Sequence, residues 1–164
     1  MSIRLTYFLS FIIISAILLT SIYFQVVDGI MPCPLCTLQR LTFGLLGILF
    51  LIGLITHRKT CLRKLINSLC GLVALLGVFL AGRQVWLQHF PSTDTSECGV
   101  SLQYMMQVLP MNEVIQKIFT GSAECTQRGW EFLQLNMAEW ALMFFIGFTL
   151  LAIGLLIKDC RKRM

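Results

Sequence analysis

The amino-acid sequence predicts an all-α membrane protein, an antiparallel four-helix transmembrane bundle with a short membrane-parallel helix in its second outer loop. Hydrophobic residues make up 57% of the 164 residues and charged residues only 13%, a balance that soluble domains rarely show. A membrane-spanning helix needs about 20 mostly apolar residues. Four nearly charge-free stretches meet that length, at about 5–25, 35–56, 65–86 and 140–157. At this chain length we expect one integral membrane domain, residues 1–164.

The first of the four stretches must be distinguished from a cleaved signal peptide. Its charge-free run extends from Leu5 to Val27, which is longer than the roughly 7–15 residues of a signal-peptide core. No good small-residue cleavage site follows the run. We therefore expect this segment to remain in the protein as a membrane anchor.

Basic residues predict the orientation of the helices, because Lys and Arg accumulate in cytoplasmic loops. Nine of the 13 basic residues fall on one side of a four-span topology, namely Arg4, Arg58, Lys59, Arg63, Lys64, Lys158, Arg161, Lys162 and Arg163. The other side holds most acidic residues, in outer loops predicted at about 26–34 and 87–139. Both termini are therefore expected in the cytoplasm. The net charge of +5 then reflects topology, and nucleic-acid binding explains it poorly.

This topology also separates the seven cysteines. Cys33 and Cys36 lie at the outer end of the second helix, and Cys98 and Cys125 lie in the second outer loop. Disulfides persist in oxidising compartments outside the cytoplasm, so these two outer pairs are the cysteines predicted to carry disulfide chemistry. The other three are expected to be unpaired thiols, facing the cytoplasm or buried in a helix: Cys61, Cys70 and Cys160.

Three interpretations compete for the outer cysteines: structural bridges, a metal site and redox exchange. A zinc site is poorly supported, because only Cys33 and Cys36 have Cys-x-x-Cys spacing and no histidine accompanies them. Redox exchange is favoured by position. Unsatisfied backbone N–H groups and the helix dipole stabilise a thiolate at a helix N-terminus. Pro32 and Pro34 suit a chain that enters a helix. Proline has no backbone N–H, and the N–H groups of the first helical turn have no hydrogen-bond partner within the helix.

The second outer loop is long and apolar for a simple connection. Two apolar stripes at helical spacing, separated by Pro110, predict helices that lie in the membrane interface. Packing of the stripes on the loop itself is the alternative. The stripes consist of Leu102, Met105, Met106 and Leu109, and of Met111, Val114, Ile115 and Ile118. Small polar residues surround Cys98, which predicts an exposed, mobile segment able to meet a second protein.

Three motifs extend these observations. They are CPLCTLQR at 33–40, GRQVWLQ at 82–88 and CTQRGWEFLQLNMAEW at 125–140. Together they resemble the DsbB family, the quinone-dependent disulfide-bond formation proteins of the bacterial inner membrane, and the resemblance covers essentially the whole chain. Pro34 departs from the usual family residue within the Cys-x-x-Cys, and its fixed backbone angle restricts this loop.

The resemblance implies a relay of thiol–disulfide exchanges. A periplasmic thioredoxin-fold oxidase, DsbA, would give its electrons to a Cys98–Cys125 disulfide, with Cys98 forming the mixed disulfide. Cys125 would then exchange with Cys33, and Cys36 would face a membrane quinone, either ubiquinone or menaquinone. Arg40 follows Cys36 by one helical turn, where its guanidinium could bind a quinone carbonyl and stabilise developing negative charge. Snorkelling to lipid headgroups is the alternative role of Arg40.

The leading functional prediction is therefore an enzyme, a protein-disulfide oxidoreductase that uses quinone as its electron acceptor. One alternative is a paralogue dedicated to a single specialised oxidase. Another is a non-catalytic membrane scaffold in which the disulfides are staples. Gln39 and Arg83 are weaker candidates for the site. Three further residues are expected to anchor the chain at the membrane surface: Trp130, Glu131 and Trp140.

Overall fold

Four long helices dominate the computed structural model, which describes residues 3–27, 33–57, 59–90, 107–108, 110, 112–113, 131–132 and 135–161. The helices are α1 (Ile3–Val27), α2 (Pro34–Thr56), α3 (Thr60–His89) and α4 (Met137–Arg161). Two short antiparallel strands, β1 (Glu131–Phe132) and β2 (Leu135–Asn136), precede α4. The predicted all-α four-helix bundle is confirmed. Most of the loop in which a membrane-parallel helix was predicted, 87–139, lies outside the described residues.

Each of the four helices is long and apolar enough to cross a membrane. They contain 23 to 30 residues, and each holds an 18-residue window with a mean hydropathy of 2.0 to 2.4. Large apolar side chains point away from the bundle along all four helices, for example Leu19, Ile55, Leu72 and Leu150. A continuous apolar surface of this kind requires lipid around it. The chain is therefore a multi-pass membrane protein.

The helices extend beyond the charge-free stretches. Helix α3 begins at Thr60, whereas its charge-free stretch begins near 65, and α4 continues to Arg161. Charged residues are tolerated in these terminal turns when they are paired or reach the membrane surface. Arg63 in the first turn of α3 is paired, because its Nη2 lies 2.7 Å from Asp159 Oδ1 on α4. The charged first turn of α3 thus lies before the charge-free stretch and is held by an ion pair to α4.

An apolar core drawn from all four helices fills the middle of the bundle. The ring of Phe43 on α2 stacks on Phe145 of α4, with ring centroids 3.9 Å apart and planes at 14°. Gly77 of α3 packs against the same Phe145 ring, and a Cβ at this position would overlap the ring carbons. Because a side chain here would collide with the ring, Gly77 permits the close approach of α3 to α4.

The two ends of the bundle differ in their contents. The terminal end, at which α1 begins and α4 ends, comprises residues 3–10, 53–57, 59–67 and 155–161. The cysteine end comprises residues 21–27, 33–40, 84–90 and 135–140. A connected polar network is found at each end, built around an ion pair at the terminal end and around two cysteine sulfurs at the cysteine end.

The network at the terminal end joins all four helices. Tyr7 Oη donates to Asn67 Oδ1 at 2.7 Å, and Asn67 Nδ2 donates to Asp159 Oδ2 at 3.0 Å. Arg63 Nε lies 2.9 and 3.0 Å from the two Asp159 oxygens, and Arg63 Nη1 donates to the His57 carbonyl at 3.0 Å. Within the described part of the chain, no buried side-chain nitrogen or oxygen lacks a partner. The buried positive and negative charges therefore compensate each other.

Candidate active site

The two cysteines of the Cys-x-x-Cys motif lie where the chain turns into α2. Cys33 is the N-cap residue, with an extended backbone at φ −63° and ψ 161°, and Pro34 occupies the first helical position. The Cys36 N–H donates to Cys33 Sγ at 3.2 Å. The sulfur thus takes the place of the Ser, Thr or Asp oxygen that usually caps a helix. Thr37 continues the turn, because its N–H donates to the Cys33 carbonyl at 3.0 Å.

This placement favours negative charge on sulfur. The two Sγ atoms of Cys33 and Cys36 lie 2.8 Å apart. A covalent S–S bond is about 2.05 Å long, so bond formation needs a movement of less than roughly 1 Å. The first turn of α2 contains no acidic residue that would repel a thiolate. Backbone N–H donors and the helix dipole therefore act on the sulfurs without opposition from that turn.

A glutamine from another helix completes the immediate surroundings of the sulfurs. Gln84 on α3 places its Nε2 3.1 Å from Cys36 Sγ and 3.6 Å from Cys33 Sγ. Its Oε1 accepts a 2.7 Å hydrogen bond from Gln39 Nε2 on α2. Both glutamine side chains are buried, with Gln84 only 4% exposed. Two amides in series thus connect the body of α2 to the sulfurs at its start.

Apolar residues enclose these polar groups. Cys33 packs in a buried cluster with Leu35, Leu80 and Leu87, and Cys36 and Leu38 pack partly against it. Cys33 is buried and Cys36 is partly exposed. Few polar groups compete with the amide in such surroundings, so its hydrogen bonds to sulfur are stronger than they would be in water. The site therefore combines a capped helix N-terminus, a directed amide donor and an apolar enclosure.

Arg40 lies one turn after Cys36 and reaches α1. Its Nη1 donates to Gln25 Oε1, and its Nη2 donates to the Ser21 carbonyl at 3.0 Å. A guanidinium carries five N–H donors in a fixed plane, so these two bonds define the plane in which it lies. Arg40 is therefore held by α1, next to the turn that carries the cysteines.

The structure brings some of the predicted site residues together. Cys33 and Cys36 are in contact, and Arg40 lies on the same helix with its guanidinium bound to α1. Cys98 and Cys125 lie outside the described residues, so their positions and their pairing stay predictions. Trp130, predicted as an interfacial anchor, also lies outside them.

Sequence reasoning left Gln84 without a role and Gln39 as a weak candidate. A signal was present, because an amide side chain within an apolar transmembrane stretch needs a partner inside the protein. Gln39 follows Cys36 by three positions, which places the two on one helix face. Gln84 is 48 positions from the same cysteine along the chain, and the two meet only because α3 packs against α2.

The remaining described cysteines lie elsewhere. Cys70 is a free thiol buried in the apolar core, and Cys61 and Cys160 are free and exposed near the terminal end. Among the described residues, no three His, Cys, Asp or Glu side chains are grouped in a way that could hold a metal ion.

Helix α4 begins at the cysteine end with a reciprocal cap. The Asn136 N–H donates to Glu139 Oε2 at 2.9 Å, and the Glu139 N–H donates to Asn136 Oδ1 at 3.0 Å. This is a capping box with asparagine as its first member. Asn136 Nδ2 also donates to Gln88 Oε1 at 2.8 Å, which ties the start of α4 to the end of α3.

Comparison with known proteins gives consistent matches over almost the full chain. The family model described as "Disulfide bond formation protein DsbB" matches residues 3–155, a range that includes Cys33, Cys36, Cys98 and Cys125. Disulfide bond formation protein B of Hahella chejuensis (strain KCTC 2396) is 38% identical over 146 residues, which cover 89% of this chain and 88% of the relative. The protein of the same name from Xylella fastidiosa (strain Temecula1) is 37% identical over 154 residues, 93% of this chain and 89% of its own length. Disulfide bond formation protein B 1 of Pseudomonas aeruginosa (strain PAO1) is 39% identical over 145 residues, 88% of this chain and 89% of the relative.

Proposed function

The chain belongs to the DsbB family of disulfide bond formation proteins, and from this premise we propose that it oxidises a dithiol protein and delivers the electrons to a membrane quinone. The electron donor is a DsbA-like thioredoxin-fold oxidase of the periplasm. The acceptor is ubiquinone or menaquinone. The protein resides in the bacterial inner membrane with both termini in the cytoplasm, as the distribution of its basic residues favours.

The observation that carries this proposal is the sulfur pair at the start of α2. Cys33 and Cys36 are close enough to exchange between dithiol and disulfide with little movement. Backbone and amide N–H groups surround them and stabilise the thiolate on which exchange depends. The pair lies at the end of a helix that is apolar enough to cross a membrane, which gives a lipid-soluble acceptor a route to it.

The scaffold alternative is weakened by the same geometry. A disulfide stabilises a fold mainly by closing a long loop in the unfolded chain, or by joining separate elements. Cys33 and Cys36 belong to one helical turn, so a bridge between them would join no two helices. A staple at this position would contribute little to stability.

The proposed relay conserves electrons and protons. Two electrons and two protons leave the dithiol of the partner oxidase as its disulfide forms. The electrons pass through Cys98 and Cys125 to Cys33 and Cys36 by successive thiol–disulfide exchanges. A bound quinone supplies a two-electron, two-proton acceptor that regenerates the Cys33–Cys36 disulfide.

The residues near Arg40 fit such an acceptor. Its carbonyl oxygens need hydrogen-bond donors and its ring needs an apolar surface. Arg40 supplies cationic N–H groups at a position fixed by Gln25 and Ser21 of α1. Leu41 and Val26, strongly exposed on the outside of α2 and α1, supply apolar surface at the same end of the bundle. In this role Arg40 binds and orients the acceptor and stabilises negative charge on it.

The test is quinone reduction by the purified protein, with a reduced DsbA-like oxidase as donor. We expect turnover to fall to background in Cys36→Ser and in Cys98→Ser. We expect Arg40→Ala to raise the quinone KM about tenfold, because a charge-assisted hydrogen bond is lost. Cys61→Ser is the matched control, since this exposed thiol lies at the opposite end of the bundle, and it should behave like the native protein.

Two outcomes would contradict the proposal. One is native protein that reduces neither ubiquinone nor menaquinone with any reduced thioredoxin-fold donor. The other is undiminished turnover in Cys36→Ser. The first result would favour the disulfide-stapled scaffold. The second would show that the electrons reach quinone without passing through Cys36.

A further inference from the structure

We propose that the Gln84 side-chain amide is a catalytic hydrogen-bond donor for the Cys33–Cys36 pair, and that Gln39 is the positioning residue that orients it. The inference rests on the proposed function only in assigning the exchange step that it assists. The hydrogen bonds themselves belong to the structure, and they can be tested without a partner oxidase or a quinone.

The contacts define one direction of hydrogen bonding. Gln84 Nε2 lies within hydrogen-bonding distance of both sulfurs, and Gln84 Oε1 faces Gln39 Nε2 at 2.7 Å. With the amide reversed, its carbonyl oxygen would face the sulfurs and repel any negative charge on them. The N–H of Gln39 binds the carbonyl oxygen of Gln84, and this bond holds the Gln84 amide in the orientation that presents its N–H groups to the sulfurs.

The two sulfurs are not equivalent in this arrangement. Gln84 Nε2 is 3.1 Å from Cys36 Sγ but 3.6 Å from Cys33 Sγ, whereas the backbone N–H of Cys36 serves Cys33. The amide thus favours negative charge on Cys36 over negative charge on Cys33.

This preference suits one exchange step. When the thiolate of Cys125 attacks Cys33 Sγ, a new Cys125–Cys33 disulfide forms and the Cys33–Cys36 bond breaks. The electron pair of the broken bond stays on Cys36 Sγ, which leaves as a thiolate. Gln84 donates to the sulfur on which this charge develops, and a stabilised leaving group leaves faster.

A neutral donor suits this position better than a cation. The pair is uncharged as a disulfide and charged only after it opens, and the pocket around it is buried and apolar. A lysine or arginine in place of Gln84 would remain a buried, uncompensated charge whenever the disulfide was closed. The amide can keep its hydrogen bond to Gln39 whether the disulfide is closed or open. This bond offsets the cost of burying the amide in both states.

The experiment measures the reactivity of Cys36 in the reduced full-length protein carrying Cys98→Ala and Cys125→Ala. Iodoacetamide modification at pH 7 is followed by mass spectrometry of the Cys36 peptide, because only the thiolate reacts. We expect Gln84→Met to slow modification about tenfold, the effect of losing one hydrogen bond to a charged group. Gln39→Met should slow it about threefold, since it acts only by loosening the Gln84 amide.

Two further variants complete the comparison. Gln84→Glu can still accept the hydrogen bond from Gln39 but offers the sulfurs an anion, so it should react more slowly than Gln84→Met. Gln88→Met is the matched control: it lies one turn further along α3, its amide contacts Asn136, and its rate should stay native. The glutathione redox equilibrium of the pair should shift about tenfold towards the disulfide in Gln84→Met, equivalent to about 30 mV.

The result that overturns the inference is a Cys36 modification rate within about twofold of native in both Gln84→Met and Gln84→Glu, smaller than one lost hydrogen bond would give. If Gln84→Met does not fold, Gln84→Glu decides alone, because it keeps the size and the bond to Gln39. Failure of the native protein to reduce quinone, with the Gln84 effect intact, would contradict only the proposed function.

Discussion

The two ends of the bundle solve the problem of buried polarity in opposite ways. At the terminal end, Arg63 and Asp159 carry permanent opposite charges, and the hydrogen bonds of Asn67 and Tyr7 complete the network. Around Cys33 and Cys36 at the cysteine end, the groups that meet are two sulfurs and two amides. In the terminal network, every polar group has a partner as long as the charges of Arg63 and Asp159 stay as they are. The network around the sulfurs can accept a negative charge and lose it again.

The difference shows what each end can do. A permanent buried ion pair holds helices in register, because separating its members leaves a charge without compensation. An amide donor beside a sulfur pair costs little when the pair is neutral and stabilises it when it is charged. Changes at the terminal end should therefore affect stability, whereas changes beside the sulfurs should affect reactivity.

The strongest challenge to this comparison is Asp159→Asn. It removes the negative charge and leaves Arg63 buried without a counter-ion, so we expect the free energy of unfolding in detergent to fall by about 3 kcal/mol. Glu113→Gln is the control, because it removes one negative charge from an exposed position. The glutathione equilibrium of Cys33 and Cys36 in the folded protein should not change. A shift of that equilibrium would mean that the two ends are coupled.

The next largest effect on stability is expected at the contact between α3 and α4 in the middle of the bundle. Gly77→Ala places a Cβ against the Phe145 ring, and we expect about 2 kcal/mol of destabilisation from overpacking. Gly82→Ala on the same helix meets nothing within 4 Å and should leave stability unchanged or slightly raised. Thermal unfolding in detergent compares the pair. Equal midpoints for the two variants would show that α3 and α4 can separate without loss.

A smaller effect is expected from Tyr7→Phe. The variant keeps the buried ring but loses the hydroxyl that donates to Asn67, which should lower the free energy of unfolding by about 1 kcal/mol. Tyr23→Phe, on the exposed side of α1, is the matched control and should stay native. If both variants had native stability, the terminal network would not need its α1 member.

The smallest difference concerns Cys33 as a helix cap. Both Cys33→Ser and Cys33→Ala should lack quinone reductase activity, because neither has a sulfur to exchange. Serine retains a side-chain acceptor for the Cys36 N–H, so Cys33→Ser should be more stable than Cys33→Ala by about 0.5–1 kcal/mol. Equal stability of the two would show that the sulfur does not act as a cap. It would leave the redox role of Cys33 intact.

Local patterns were sufficient for much of the architecture. The four charge-free stretches predicted four spanning helices, because a backbone in lipid must satisfy its own hydrogen bonds and a helix does so within one segment. The position of Cys33 before a helix that starts with Pro34 was likewise readable, since capping involves only neighbouring residues. The first turn of α3, before the charge-free stretch, could not be read in this way, because its Arg63 is stabilised by a residue 96 positions away.

The sequence by itself therefore determined the number of spanning helices, the cysteine pair at the start of α2 and the family to which the chain belongs, since each depends on composition or on spacing within one segment. Only the tertiary structure decided which distant polar groups meet. Gln84 reaches Cys36 because α3 packs on α2, Arg40 reaches Gln25 because α2 packs on α1, and Asp159 closes the terminal network because α4 packs on α3. The physical reason is that a buried polar side chain must find a partner, while the sequence does not state which helix faces will supply it.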